Sequence, residues 1–99
     1  MATVRLYLDR RAVGDGAPAP LKLALTQGGS TAYIGLDVKV MPWQWDPKTE
    51  KVTARADKAG INTYLLAMKA RAMGLLSRID VTGMTTTQVK DRVKRGLQL

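Results

Sequence analysis

The stretch Thr31-Ala32-Tyr33-Ile34-Gly35-Leu36-Asp37-Val38-Lys39-Val40 alternates without interruption. Ala32, Ile34, Leu36, Val38 and Val40 fall on one side, and Thr31, Tyr33, Gly35, Asp37 and Lys39 on the other. A period of two is the signature of a strand buried on one face only. The same pattern occurs twice upstream. Pro20 to Thr26 sets Leu21, Leu23 and Leu25 against Lys22, Ala24 and Thr26, and Thr3 to Asp9 sets Val4, Leu6 and Leu8 against Thr3, Arg5, Tyr7 and Asp9. Gln27-Gly28-Gly29-Ser30 is short enough to make the second and third strands antiparallel neighbours, with glycine where a tight hairpin needs positive φ. Arg10 to Ala19, with Gly14, Gly16 and Pro18, reads as a polar loop. The outcome is a small antiparallel sheet with one apolar and one polar face. A basic, aromatic-bearing open sheet face is one of the shapes that enters a DNA major groove.

Beyond the strands, Met41-Pro42-Trp43-Gln44-Trp45-Asp46-Pro47 reads as a corner, Pro42 suiting the first position of a helical turn and Pro47 stopping it. Trp45 is expected in the core and Trp43 either there or exposed. Lys48 to Arg55 is polar and extended around Val52. From Ile61 to Asp80 the spacing becomes helical: Ile61, Leu65, Met68, Ala72, Leu75, Leu76 and Ile79 share a face, with Asn62 a candidate cap and Tyr64 a core candidate. This long helix is expected to cover the apolar side of the sheet. A second, short helix opens with Thr85 as N-cap and Gln88 closing a capping box, flanked by Met84 and Val89 as a hydrophobic staple, and runs to about Arg95. The fold class is therefore α+β, a three-stranded antiparallel sheet packed on one long α-helix and followed by a second short C-terminal helix.

Composition narrows the function. Ninety-nine residues hold one core, and sixteen Lys and Arg against eight Asp and Glu leave a net charge of +8, which favours a polyanionic partner. No apolar run is long enough to span a membrane, and the opening Met-Ala-Thr-Val-Arg lacks a signal-peptide core. With no His and no Cys, zinc sites and Ser-His or Cys-His nucleophiles are excluded. No glycine pattern matches a phosphate loop. No catalytic residue, metal, cofactor or small-molecule substrate is expected.

Several segments, in their order and spacing, resemble the N-terminal arm DNA-binding domain of tyrosine recombinases, the integrases of phages and conjugative transposons. They are Val4-Arg5-Leu6-Tyr7-Leu8-Asp9, Pro20-Leu21-Lys22-Leu23, Thr31-Ala32-Tyr33-Ile34-Gly35-Leu36, Pro42-x-x-Trp45-Asp46 and the helix beginning near Asn62. The resemblance implies that residues 1–80 form an arm-type DNA-binding domain. Residues 81–99 would be a linker and short helix leading toward a core-binding domain outside this chain. It further implies sequence-specific binding of double-stranded DNA at arm-type sites, sheet face in the major groove, in support of site-specific recombination and DNA integration. The cleaving domain of the recombinase would lie elsewhere. A cytoplasmic setting is the default for a chain of this composition, and a bacterial, nucleoid-associated one is what the resemblance implies.

The DNA-facing set is Arg5, Tyr7, Lys22, Thr26, Thr31 and Tyr33, which project opposite the leucines. Arg5 and Lys22 suit guanine edges or phosphates, and the threonines suit a thymine methyl or a phosphate oxygen. Ala24 and Gly35 would leave room for the duplex, and Asp37 would mark the edge of the footprint or accept from a cytosine amino group. Arg10 and Arg11, with Lys39, Lys48 and Lys51, read as flanking phosphate contacts. The alternative for the same face is an ordinary solvated sheet surface. A different class of function attaches to Leu66, Ala70 and Met73, on the side of the long helix turned from the core, with Ala67 and Gly74 beside them. A solvated helix face should carry charges there. The Val89, Val93, Leu97 stripe, the rest of a recombinase or another copy of the chain are its candidate partners, the last making an oligomerisation module. An RNA-binding role is disfavoured because no two stacking aromatics lie together on one strand.

Overall fold

A computed structural model describes residues 2–11, 13–14 and 16–97. The three alternating stretches form β1 (Thr3–Leu8), β2 (Ala19–Gln27) and β3 (Ser30–Val40) in one antiparallel sheet ordered β1-β2-β3. The β2–β3 hairpin turns at Gly28 and Gly29, with φ of 56° and 85°, as a two-residue turn matched to strand twist requires.

Register runs cleanly from Gln27↔Ser30 to Lys22↔Gly35, then resumes at Pro20↔Lys39. Two extra residues of β3 are thus absorbed opposite Leu21, and Asp37 within this bulge takes φ 57°, a conformation that Asp tolerates better than most residues. Because two residues are inserted, alternation survives: Leu36 and Val40 both reach the core. Pro20, which lacks a ladder donor, sits beside this irregularity, where proline is tolerated in a sheet.

Val4, Leu6, Leu8, Leu21, Leu23, Leu25, Ile34 and Leu36 form the apolar face. It is covered by two helices. α1 (Lys58–Arg78) contributes Leu65, Met68 and Ala72, with Ile61, Leu75, Leu76 and Ile79 half-buried around them. α2 (Thr86–Leu97) contributes Val89, Val93 and Leu97, all buried in the same core. Its capping box is formed: the Thr85 hydroxyl accepts from the Gln88 N–H at 3.2 Å, and the Gln88 side chain accepts from the Thr85 N–H at 2.9 Å. α2 lies so close to α1 that a Cβ on Gly96 would meet both terminal methyls of Leu75 at 2.8 Å. The Gln27 side chain donates to the Met84 carbonyl at 3.2 Å, fixing the connection between the helices to the hairpin. The long helix is therefore one of two covers, and the Val89, Val93, Leu97 stripe packs into the core rather than over Leu66 and Met73.

A short ribbon, β4 (Trp45–Asp46) with β5 (Lys51–Val52), follows the 3-10 turn Pro42–Gln44. Asn62 does not cap α1, which starts earlier after Asp57. Its side chain accepts from the Val52 N–H at 2.7 Å and donates to the Val52 carbonyl at 3.0 Å, pairing with β5 as a strand would. Glu50 ties three elements together, accepting from the Leu6 N–H on the edge of β1 and from the Lys69 ammonium of α1 at 3.0 and 3.1 Å. Trp45 packs half-buried against the core and Trp43 is exposed. Tyr64 is not a core residue: it stays 37% exposed on the first half of α1, and its hydroxyl donates to the Leu36 carbonyl at 3.2 Å.

Candidate nucleic-acid interface

With both helices on the apolar side, the opposite side of the sheet is left open. The register arranges it in cross-strand rows: Thr3–Thr26–Thr31, Arg5–Ala24–Tyr33 and Tyr7–Lys22–Gly35. Arg5, Tyr7, Lys22, Thr26, Thr31 and Tyr33 are thereby brought together on one face, as their alternation requires. Thr26 and Thr31 share a hydrogen bond at 3.0 Å near the hairpin end. Arg5 is exposed in the middle row.

Ala24 departs from expectation. It is 3% exposed although it lies on the open face between Arg5 and Tyr33, so it is a floor beneath larger side chains and not a gap for the duplex. Gly35 does leave a gap, since a Cβ there would meet nothing within 4 Å. Tyr7 and Tyr33 come together diagonally across β2, ring centroids 5.2 Å apart and planes 35° from parallel. Strand-by-strand reading misses this pair because its members belong to different strands. One face of Tyr33 is already occupied: the Arg11 guanidinium lies over it, 4.5 Å from the ring centre.

Asp9 organises this end of the face. It is 5% exposed, and its carboxylate accepts from Arg11 Nε at 2.8 Å, Arg11 Nη2 at 2.8 Å, the Arg11 N–H at 3.1 Å and Lys22 Nζ at 2.7 Å. These partners, Arg11 foremost and then Lys22, hold the Asp9 carboxyl well below the usual carboxylate range, against the opposing effect of burial. Lys22 is consequently committed to an ion pair at its base, with a side chain only 28% exposed. Arg11 instead reaches outward, its side chain 59% exposed. Arg10 is exposed beside it. Lys48 and Lys51 are exposed on the β4–β5 ribbon, which is not part of the three-stranded ladder. Asp9 was legible as a polar-face residue, but nothing in the alternation marks it as the buried hub.

Among the described residues no group of three or more His, Cys, Asp or Glu is placed to hold a metal ion, and no helix is long and apolar enough to cross a membrane. No curated protein and no solved structure matches the chain significantly. The sequence model of one family does, over residues 6–90, a span that includes β2, β3, α1 and the opening of α2. That family is a DNA-binding module found in recombination proteins, typical of tyrosine recombinase N-termini. Open sheet face, covered apolar face and sequence match agree: this chain belongs to the arm DNA-binding domain family.

Proposed function

We propose that the chain is the N-terminal module of a bacterial tyrosine recombinase that binds arm-type duplex sites with sequence preference. The polar sheet face enters the major groove, and the rest of the recombinase supplies strand cleavage. Its role is to bridge arm sites to core sites, supporting site-specific recombination and integration of a mobile element in the cytoplasm. The observation that carries this reading is the asymmetry of the sheet. Its apolar side is sealed by two helices, while its other side collects Arg5, Tyr7, Lys22, Tyr33, Thr26 and Thr31, with Arg10 at the margin and the Arg11 guanidinium laid over Tyr33. Base-edge contacts would come from the middle of the face and phosphate contacts from its margin.

A second reading is favoured by one observation: Leu66 and Met73 on α1 are 68% and 52% exposed, with exposed Ala70 between them. In it, the chain associates with another copy through this face. Fluorescence anisotropy against duplexes tiled from the ends of the parent element, beside random duplex, separates the two. The first reading expects preference for particular tiles, abolished by Arg5→Ala with Lys22→Ala and retained by Leu66→Glu with Met73→Glu. Equal, weak binding to every tile, with a sedimenting dimer that the glutamate pair dissociates, would replace the first reading by the second.

A further inference from the structure

Resting on that DNA-binding reading, we infer that Arg11 is a specificity-determining residue that reads guanine in the major groove, and that Asp9 is the positioning residue that aims it.

The argument begins with the way the guanidinium is held. Asp9 engages Arg11 side-on, through Nε and one hydrogen of Nη2. A guanidinium has five N–H donors in a rigid plane. The side-on grip leaves the outer edge, both hydrogens of Nη1 and the second of Nη2, directed away from the carboxylate. That edge is the fork that matches O6 and N7 of guanine, the commonest specific contact of arginine with DNA. Two further contacts hold the arrangement, one on the guanidinium and one on the carboxylate. The ring of Tyr33 lies beneath the guanidinium at 4.5 Å, and the Arg11 backbone N–H donates to the same carboxylate at 3.1 Å. The rotamer entropy that a free arginine loses on binding is therefore already spent in the folded chain.

Electrostatics distinguishes this from a phosphate contact. Asp9, Arg11 and Lys22 together carry a net single positive charge, so the trio attracts phosphate less than its two cations would without the carboxylate. A buried acid on a polyanion-binding face weakens general attraction. What it adds is orientation, which base readout needs and phosphate contact does not. The position of the group agrees, for it stands over Tyr33 in the middle row of the open face.

The test is selection from a randomised duplex library by the wild-type chain, followed by anisotropy with the selected duplex, its single-base variants and random duplex. Arg11→Lys keeps the charge and removes the fork. It is expected to bind random duplex within about twofold of wild type while losing roughly tenfold or more of its preference at one G·C pair. Asp9→Asn raises the net charge by one, so simple attraction predicts tighter binding everywhere. The inference expects random-duplex binding maintained or strengthened and preference at that same pair lost. Circular dichroism confirms that each variant is folded, and Arg11, being surface-exposed, serves alone if Asp9→Asn is not. An Arg11→Lys chain that keeps wild-type preference at every position overturns the inference while leaving sequence-specific binding intact. A wild-type chain that enriches no motif overturns both.

Discussion

Among the described residues Asp9 is the charged side chain that the fold buries, and burial of a carboxylate is tolerated only with donors around it. Here the donors are Arg11 and Lys22, two of the cations of the candidate interface, so one residue couples stability to interface geometry. The coupling has a pH signature. The native carboxyl is held well below its ordinary value, whereas in the unfolded chain it titrates near about 4. The stability it contributes is therefore complete above the unfolded value and declines as pH falls toward the native one. Urea unfolding between about pH 6 and pH 2 should show wild type more stable than Asp9→Asn at the upper end, with the difference narrowing below about pH 4. A difference that stays constant across the range would mean that the carboxylate gains nothing from Arg11 and Lys22.

Among the elements, the strands and α1 were legible because their burial is periodic. Leu65, Met68 and Ala72 fall where helical spacing puts them. What stayed hidden is of three physical kinds. The bulge opposite Leu21 inserts two residues, an even number, so alternation through Leu36, Asp37 and Val38 shows no trace of it. Asn62 has the chemistry of a cap, but the residues ahead of it, Lys58, Ala59 and Gly60, continue the helix on an exposed face that has no apolar pattern to read. The Asp9–Arg11 pair is a loop contact two residues apart, where neither period applies. α2 was legible as a helix from its capping box, whereas its docking was not, because a Val89, Val93, Leu97 stripe fits either the sheet or the outer side of α1. Its burial yields a prediction about folding units. Burying three aliphatic side chains contributes about 5 kcal/mol before the entropy of ordering the helix is subtracted. Domains of this size have only about 5–15 kcal/mol in total. A chain ending at Asp80 should consequently lose most of its cooperative unfolding transition and expose its apolar sheet face to a hydrophobic dye. An unchanged urea midpoint would show instead that α2 is a dispensable linker and that residues 1–80 fold unaided.

At the scale of the whole molecule, the charge of +8 is spread over both sides, and only the arrangement can tell which part of it engages DNA. Arg5 and Arg10 are exposed on or beside the open sheet face, while Lys94 and Arg95 are exposed on α2, which covers the opposite face. A duplex seated on the sheet cannot touch the second pair. Two variants that remove the same charge, Arg5→Gln with Arg10→Gln and Lys94→Gln with Arg95→Gln, therefore separate contact from net charge. Counterion release gives a log–log salt slope of about −0.9 for each phosphate neutralised. The sheet-face variant should flatten the slope by up to about 1.8, to the extent that both arginines meet phosphate. The helix variant should lower affinity slightly at low salt through the long-range field and leave the slope where it was. If the slope instead responds to Lys94 and Arg95 and ignores Arg5 and Arg10, DNA lies along α2, and the open sheet face is a solvated surface whose tyrosines and arginines serve the fold alone.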